Sequence, residues 1–218
     1  MTSIAILGGA GPQGGGLARR FAAAGISVLV GSRDPARARD TVAGWRAAGE
    51  PIDVADNASA VEQRDVVLLT VPFGSVDALL ADLHARFRHG SLAIDVTVPL
   101  DFSGGRMSML EVAAGSAAQH IRTRLPDHVR LAAAFKTIPA HLLADADAPL
   151  DCDEFVCGDS EAARSETVAL AQRLPGLRAI DVGGLSRARF IEHVTALAVA
   201  INRTHKIRDA RFTVVGIR

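Results

Sequence analysis

Short apolar runs alternate with amphipathic segments along most of this chain. Residues 3–7 form a first apolar run, glycines and an alanine-rich segment follow, and residues 26–31 form a second run one helix length later. Apolar runs separated by helical patterns are typical of a parallel sheet that carries helices on both faces. The pattern therefore predicts an α/β fold that begins with a doubly wound parallel sheet.

The following segments continue this rhythm. Residues 65–72 are nearly all apolar, which indicates a strand buried on both faces. Apolar residues at helical spacing predict a helix over residues 75–87. Asn57 is expected to cap a brief helix, and residues 100–107 are expected to form a glycine-containing loop. The other predicted strands cover residues 52–54, 91–98, 130–135, 154–157 and 177–182, and the other predicted helices cover residues 35–48, 57–62, 108–125 and 160–174.

A long final helix is predicted from a cap at Ser186 to His205. It is apolar on nearly all sides, which predicts burial either in a smaller C-terminal lobe or against a second subunit. Residues 211–218 alternate between polar and apolar and predict an edge strand. We therefore expect a nucleotide-binding domain over residues 1–135 and a small C-terminal domain, for substrate or dimerisation, over residues 136–218. The apolar stripe of the final helix is Phe190, Val194, Leu197, Ala198 and Ile201.

The glycines after the first strand match the G-x-G-x-x-G pattern at Gly9, Gly11 and Gly14. This spacing suits a tight turn in which the backbone approaches a pyrophosphate and the helix packs closely on its strand. Amides at the start of the helix then point at the phosphates, with the positive end of the helix dipole behind them. The sequence predicts a dinucleotide-binding turn of the Rossmann type; the alternative is a tight turn that binds nothing.

The second strand ends at Ser32 and Arg33, where an NAD-binding unit usually has an acid for the ribose 2′-hydroxyl. A hydroxyl and a guanidinium would instead hold a 2′-phosphate. Arg37 adds a second cation four residues later, whereas Arg39 is expected to face solvent. The pattern predicts NADP(H) as the cofactor; the alternative is a solvated, basic helix start.

Two further strands end in Val-Pro, at Val71-Pro72 and Val98-Pro99. Because the carboxyl ends of parallel strands meet at one edge, these pairs should form rigid apolar walls that suit a flat, uncharged ring. The strand over residues 130–135 delivers a further segment to this edge. That segment is Lys136, Thr137, Ile138, Pro139 and Ala140, and its lysine is expected either to face the ligand or to snorkel at the surface.

Composition and charge exclude several classes of function. Lys plus Arg equals Asp plus Glu at 24 each, so no overall field attracts nucleic acid or an anionic membrane. The sequence has neither an apolar segment of membrane-spanning length nor a recognisable signal peptide, and we expect a cytoplasmic location. Cys152 and Cys157 are the two cysteines and have no histidine cluster nearby. We therefore expect reduced, structural thiols and no metal site.

Acid–base and nucleophilic machinery is scarce. The chain has no tyrosine, which excludes a Tyr-x-x-x-Lys pair, and no serine lies in a nucleophile elbow. Lys136 and His141 are the titratable groups that flank the Thr-Ile-Pro segment. This composition permits a reaction in which hydride passes directly between two bound rings while the protein supplies position and dryness, with no catalytic side chain.

Together these residues resemble the coenzyme F420-dependent NADP reductase family. The matching blocks keep their order over nearly the whole chain. They are Leu-Gly-Gly-Ala-Gly-Pro-Gln-Gly at 7–14, Gly-Ser-Arg at 31–33, Thr-Val-Pro-Phe at 70–73, Thr-Ile-Pro-Ala at 137–140, Val-Cys-Gly-Asp at 156–159, and Gly-Leu-Ser at 184–186 with Arg189.

The resemblance implies a homodimer that transfers hydride reversibly between NADP(H) and the deazaflavin of F420. It implies that the turn holds the pyrophosphate, that the Ser-Arg segment holds the 2′-phosphate, and that the first Val-Pro pair lies along the nicotinamide. The residues implied in binding NADP(H) are Ala10, Gly11, Pro12, Gln13, Ser32, Arg33, Arg37, Val71 and Pro72. Those implied at the deazaflavin are Thr137, Ile138, Pro139, Ala140 and Thr195.

Two features depart from the family pattern. Family members often have histidine where this chain has Lys136, and the end of the chain, residues 208–218, is unlike the usual ending. The second substrate therefore has alternatives: a flavin, a ferric chelate, or a small imine or carbonyl compound. A module that senses NADP without turnover is a further alternative.

Overall fold

The computed structural model describes residues 3–47 and 51–217, which form ten strands and eight α-helices joined by short turns. The strands are β1 (Ser3–Leu7), β2 (Ser27–Ser32), β3 (Ile52–Asp56), β4 (Val66–Leu69), β5 (Leu92–Asp95), β6 (Leu100–Asp101), β7 (Ser108–Met109), β8 (Arg130–Ala133), β9 (Cys152–Gly158) and β10 (Leu177–Gly184). The helices are α1 (Pro12–Ala23), α2 (Pro35–Ala47), α3 (Asn57–Gln63), α4 (Val76–Leu83), α5 (Ala117–Arg122), α6 (Ala140–Leu143), α7 (Glu161–Ala171) and α8 (Ala188–His205).

Eight strands form one sheet in the order β10-β9-β8-β5-β4-β1-β2-β3. Strands β3, β2, β1, β4, β5 and β8 pair in parallel, and β9 pairs antiparallel with β8 and parallel with β10. The predicted α/β fold with a doubly wound parallel sheet is confirmed. Strand order reverses between β1 and β4, and ligands of such sheets bind in the crevice at that point.

Side chains of β1 enter opposite faces of the sheet, and both faces are covered. Ile4 and Ile6 belong to one buried cluster, whereas Ala5 and Leu7 belong to another. Alternate residues of a strand point to opposite faces, so a strand covered on both sides must be apolar throughout. The larger cluster also contains Cys152 and residues of α7, so it spans both sides of the predicted domain boundary.

The predicted helix over residues 108–125 was wrong for most of its length. Residues 108–109 pair with β6 as a short antiparallel strand, and the helix begins only at Ala117. Gly115 has a positive φ of 99°, which ends the preceding turn, and the Ser116 hydroxyl accepts a hydrogen bond from the Gln119 amide. Local capping therefore sets the start of α5.

Two predicted caps were also wrong. Asp56, in extended conformation, caps α3 through a 2.8 Å bond from the Ser59 amide, so Asn57 is the first helical residue. Ser186 lies in a 3₁₀ turn over Leu185–Arg187, and α8 begins after it without a side-chain cap. The predicted end of α2 at residue 48 lies outside the described residues.

Helix α8 is not buried on all sides in the single chain. Ile191, Glu192 and Ala198 are buried, but Phe190 is 64% exposed and Leu197 is 52% exposed. Burial of this outer face inside a C-terminal lobe is therefore contradicted, since nothing in the described chain covers it.

The C-terminal segment forms no strand among its described residues, which end at 217. The Phe212 carbonyl accepts from the Asp153 amide at 2.9 Å, and the Val214 amide donates to the Asp153 carboxylate at 2.5 Å. One main-chain bond and one bond to a side chain do not make a ladder. The segment lies along β9 as an irregular chain.

Candidate functional site

The turn between β1 and α1 is held by main-chain hydrogen bonds. The Gly8 amide donates to the Gly31 carbonyl at 3.2 Å, and the Gly11 amide donates to the Gly8 carbonyl at 2.9 Å. A Cβ on Gly14 would lie 2.6 Å from the Gly8 carbonyl oxygen and would also overlap the hydroxyl of Thr70. Glycine is therefore required at position 14, because the helix starts directly against the turn.

The amino end of α1 offers unpaired donors to this crevice. Gly11 is the N-cap, Pro12 follows it, and the first helical hydrogen bond is donated by Gly15 to the Gly11 carbonyl at 2.7 Å. The geometry of a helix end leaves the amides of Gln13 and Gly14 without an intrahelical acceptor. The first turn carries no acid, so the positive end of the helix dipole is free to attract an anion.

The predicted 2′-phosphate residues lie together at the end of β2. Ser32 is half-buried, while Arg33 and Arg37 are exposed. The Ser32 hydroxyl exchanges hydrogen bonds with the backbone of Asp34, and the Asp34 carboxylate accepts from the Arg37 amide at 3.1 Å. Within residues 3–47 and 51–217, no acid pairs with either guanidinium. The Ser32 hydroxyl and the two guanidinium groups are therefore the side-chain groups at this end of the sheet that could hold a phosphate.

Both Val-Pro pairs lie at the same edge of the sheet. Leu69 of β4 pairs with Asp95 of β5, so the residues that follow the two strands emerge side by side. Thr70 joins this edge to the glycine turn, because its hydroxyl donates to the Leu7 carbonyl at 2.7 Å. Val71 and Val98 are half-buried, Pro72 is exposed and Pro99 is buried.

The segment after β8 forms a loop, residues 134–140, at this edge, and the loop is strained. Phe135 is fully buried with a φ of 59°, a left-handed conformation that costs about 1–3 kcal/mol outside glycine. The Gln13 side chain donates to the Phe135 carbonyl at 2.9 Å and to the Ile138 carbonyl at 3.4 Å. Thus a residue of the glycine turn also holds the second predicted ligand segment.

The side chains of this loop differ in exposure. Thr137 is 5% exposed and Ile138 is 3% exposed, and Ile138 packs into the larger buried cluster. Pro139 and Ala140 are half-buried. Thr195 of α8 approaches from the other side, with its hydroxyl donating to the Lys136 carbonyl at 3.0 Å. The structure thus brings the predicted residues of this segment together.

The structure contradicts both predictions for the Lys136 side chain, which were that it faces the ligand or snorkels at the surface. Its ammonium is completely buried, lies 2.6 Å from Asp95 and 3.5 Å from Glu192, and also donates to the Thr97 carbonyl. Burial lowers the pKa of Lys136, but the adjacent carboxylates outweigh it and the pKa lies above its ordinary value. The side chain therefore does not face a ligand but joins β5, α8 and the loop.

A third buried acid is directed at the same loop. Glu154 of β9 accepts from the Lys136 amide at 3.1 Å, from the Thr137 amide at 3.3 Å and from the Thr137 hydroxyl at 2.7 Å. Sequence reasoning missed Glu154, Asp95 and Glu192. The available signal was an acid within or at the end of an otherwise apolar strand or helix, since such acids are rarely buried without a partner.

Helix α1 also fixes the chain beyond this loop. The buried Arg20 guanidinium donates to the carbonyls of Leu142 at 2.5 Å and Ala148 at 2.8 Å, and also to those of Leu143 and Asp145. A Cβ on Gly16 would overlap Leu143. The helix that begins at the glycine turn thus packs tightly on the segment after the loop.

Other reactive groups are inert or absent. Burial raises the pKa of Cys152 to about 11 and that of Cys157 to about 12, so both remain protonated thiols at neutral pH. No group of three metal-binding side chains occurs in the described part of the chain. None of the described helices is long and apolar enough to cross a membrane.

Sequence comparisons agree on one family. The family model described as NADP oxidoreductase coenzyme F420-dependent matches residues 3–99. The F420-dependent NADP reductase of Methanothermobacter marburgensis is 38% identical over an alignment of 221 positions, which covers 98% of each chain. The F420-dependent NADP reductase of Methanocaldococcus jannaschii is 31% identical over an alignment of 222 positions, which again covers 98% of each chain.

Solved structures share the fold. A candidate F420-dependent NADP reductase from Arthrobacter sp. FB24 has a TM-score of 0.86 at 24% identity, over 99% of this chain and 100% of that one. A 3-hydroxyisobutyrate dehydrogenase from Mycobacterium tuberculosis has a TM-score of 0.63 at 17% identity, over 94% of this chain and 62% of that one. At these identities the likeness concerns the fold alone.

Proposed function

This chain belongs to the F420-dependent NADP reductase family, an NADP-binding oxidoreductase family, and we propose that it transfers hydride directly between NADP(H) and the deazaflavin of F420. The observation that carries the proposal is the identity to reductases of this name over 98% of the chain. The reversal of strand order between β1 and β4 supports it, together with the acid-free amino end of α1, the exposed Arg33 and Arg37, and the two Val-Pro pairs at the same edge.

The proposed nucleotide site uses main-chain donors and two guanidinium groups. The main-chain amides of Ala10, Gln13 and Gly14 hold the pyrophosphate at the amino end of α1, where the helix carries no competing acid. Ser32, Arg33 and Arg37 hold the 2′-phosphate, and Val71 with Pro72 lies along the nicotinamide. This arrangement selects NADP(H) over NAD(H), because the two cations have no phosphate to bind in the latter.

The proposed second-ring site is apolar. It consists of Val98, Pro99, Thr195 and the segment 137–140, to which Lys136 contributes only through its main chain. The step needs no side chain as acid or base: NADPH gives up a hydride, and a solvent proton completes the reduced deazaflavin. The protein aligns the two rings and excludes water, which is the part of catalysis that positioning provides.

We further propose that the active form is a homodimer joined through α8. Phe190 and Leu197 on its outer face are more than half exposed, and Phe102, with Arg203 stacked 5.8 Å from its ring, is exposed nearby. Exposed apolar patches of this kind mark contact surfaces. Light scattering after size exclusion should give a dimer for the wild type and a monomer for Leu197→Arg, with Val215→Arg as a matched exposed control.

The test of the function is spectroscopic. The protein is mixed with NADPH and oxidised F420, and loss of the visible absorbance of the deazaflavin is followed. We expect turnover with F420 and not with a flavin, a ferric chelate, or small imines and carbonyls. Turnover with one of these but not with F420 would overturn the choice of substrate, and tight NADP binding without any hydride exchange would indicate a sensor.

A further inference from the structure

Glu154 has a fully buried carboxylate whose two oxygens are both directed at the loop that follows β8. One oxygen accepts from the Lys136 amide at 3.1 Å, and the other accepts from the amide and the hydroxyl of Thr137, at 3.3 and 2.7 Å. The acceptor capacity of a carboxylate matches these three donors.

The charged neighbours of Glu154 are committed to other partners. On the loop, the Lys136 ammonium is paired with Asp95 of β5 and Glu192 of α8. On β9, Asp153 is paired with Arg178 of β10 at 2.7 Å. The remaining titratable neighbours on β9 are the thiols of Cys152 and Cys157, which stay protonated. The negative charge of Glu154 is thus compensated by hydrogen bonds from the loop and not by a cation.

The loop needs such a support because its conformation is not intrinsically favoured. Phe135 is left-handed, and Gln13 holds its carbonyl from one side. Glu154 of β9 holds the next two amides. A left-handed residue other than glycine persists only where its surroundings fix it.

We propose that Glu154 is a positioning residue: its carboxylate fixes residues 137–140 for the second ring, and uptake of a proton by that carboxylate releases them. The proposal rests on the proposed function, in which this segment borders the deazaflavin. Protonation turns one carboxylate oxygen into a donor. Beside Thr137 that oxygen donates to the Thr137 hydroxyl oxygen and no longer accepts from it, so the three contacts that hold the loop cannot all persist.

Burial raises the pKa of Glu154 to about 7, against the opposing effect of its hydrogen bonds. The hold on the loop is therefore present above pH 7 and is lost as the pH falls through about 7. The contribution of Glu154 to the stability of the fold changes with pH in the opposite direction. Because the folded pKa lies above the unfolded value, stability from this group is full below the unfolded pKa and is lost as the pH rises through about 7.

The experiment measures the KM for F420 and for NADPH between pH 6 and pH 8. At pH 6 about a tenth of a group with this pKa is ionised, so the KM for F420 should rise about 10-fold from pH 8 to pH 6. The KM for NADPH should stay unchanged. In Glu154→Gln the KM for F420 should be high at both pH values, because an amide nitrogen cannot accept from the loop.

Two controls separate Glu154 from other groups. Glu161→Gln changes an exposed acid of α7 and should keep the wild-type profile. His141→Asn removes the histidine closest to the loop in sequence and should also keep it. The proposal is overturned if the pH dependence of the KM for F420 persists in Glu154→Gln or disappears in His141→Asn. It is also overturned if the KM for F420 and the KM for NADPH change equally with pH.

A second readout does not depend on turnover. In the wild type without ligands, the amide NMR resonance of Thr137 should titrate with a midpoint near pH 7, and in Glu154→Gln it should not. If F420 is not turned over, the proposed function fails while this titration still decides the role of Glu154. If the variant does not fold, an unchanging wild-type Thr137 resonance across this range overturns the proposal by itself.

Discussion

The glycine turn, residues 8–14, and the loop of residues 134–140 lie at the same edge of the sheet but are built in different ways. The turn is made by its own backbone and that of adjacent strands, as in the 2.9 Å bond from Gly11 to Gly8. The loop is held by side chains from distant parts of the chain, including Gln13, which lies 122 positions before Phe135.

This difference also concerns electrostatics. The turn presents partial positive charges from main-chain amides, which are fixed by the helix itself. The loop depends on full charges inside the protein, the ammonium of Lys136 and the carboxylates of Asp95 and Glu192. We therefore expect added volume to damage the turn, and loss of a charged partner to damage the loop.

The largest effect should come from Lys136→Met. The change leaves Asp95 and Glu192 buried without their cation, and breaking a buried ion pair costs about 3–5 kcal/mol. Urea unfolding measures the free energy of unfolding of the variant and of the wild type. Lys206→Met, at an exposed residue, should cost little. A loss of unfolding free energy below about 1 kcal/mol would contradict the claim that the loop, unlike the turn, depends on buried charges.

Gly14→Ala tests the turn by volume. The new Cβ overlaps the Gly8 carbonyl oxygen, and severe overpacking costs about 3 kcal/mol. If this cost falls on the bound state, the Kd for NADPH should rise about 100-fold by fluorescence titration. Gly44→Ala is the matched control, since its Cβ would meet nothing within 4 Å. Unchanged binding in Gly14→Ala would mean that the turn adapts.

Arg33→Ala tests whether the guanidinium at the end of β2 binds the 2′-phosphate. Removing a hydrogen bond to a charged group costs about 1.5–3 kcal/mol, so the Kd for NADPH should rise about 10- to 100-fold. NADH has no 2′-phosphate, so its affinity should not change. Arg39→Ala, also exposed, serves as the control. Equal effects of Arg33→Ala on NADPH and NADH would show that this guanidinium does not bind the 2′-phosphate.

Ile138→Val should have the smallest effect. Shortening this buried residue costs about 0.5–1.5 kcal/mol and alters the packing of the second-ring segment. Single-turnover hydride transfer to F420 should slow several-fold at unchanged NADPH affinity. Ile26→Val makes the same change at a buried residue before β2, at the opposite edge, and should not alter the rate. Identical rates in both variants would contradict a role for Ile138 in ring placement.

The sequence by itself determined the parts of the protein that depend on local spacing. The glycine turn, the Ser32-Arg33 ending and the apolar strands β1, β4 and β5 follow from a motif and from periodicity. Their hydrogen bonds and their burial on both faces are dictated by neighbouring residues. Each of these predicted segments has its predicted place in the sheet.

Tertiary structure alone decided the surroundings of Lys136, the role of Glu154 as a loop support and the exposed face of α8. A lysine, an acid or an apolar stripe has the same pattern in sequence whether it is buried or exposed. Whether it is buried depends on which groups pack against it. Here three acids reach the loop from three separate elements: Asp95, Glu154 and Glu192. Burial of a charge is stable only with such partners, and pairing through space leaves no periodic signal along the chain.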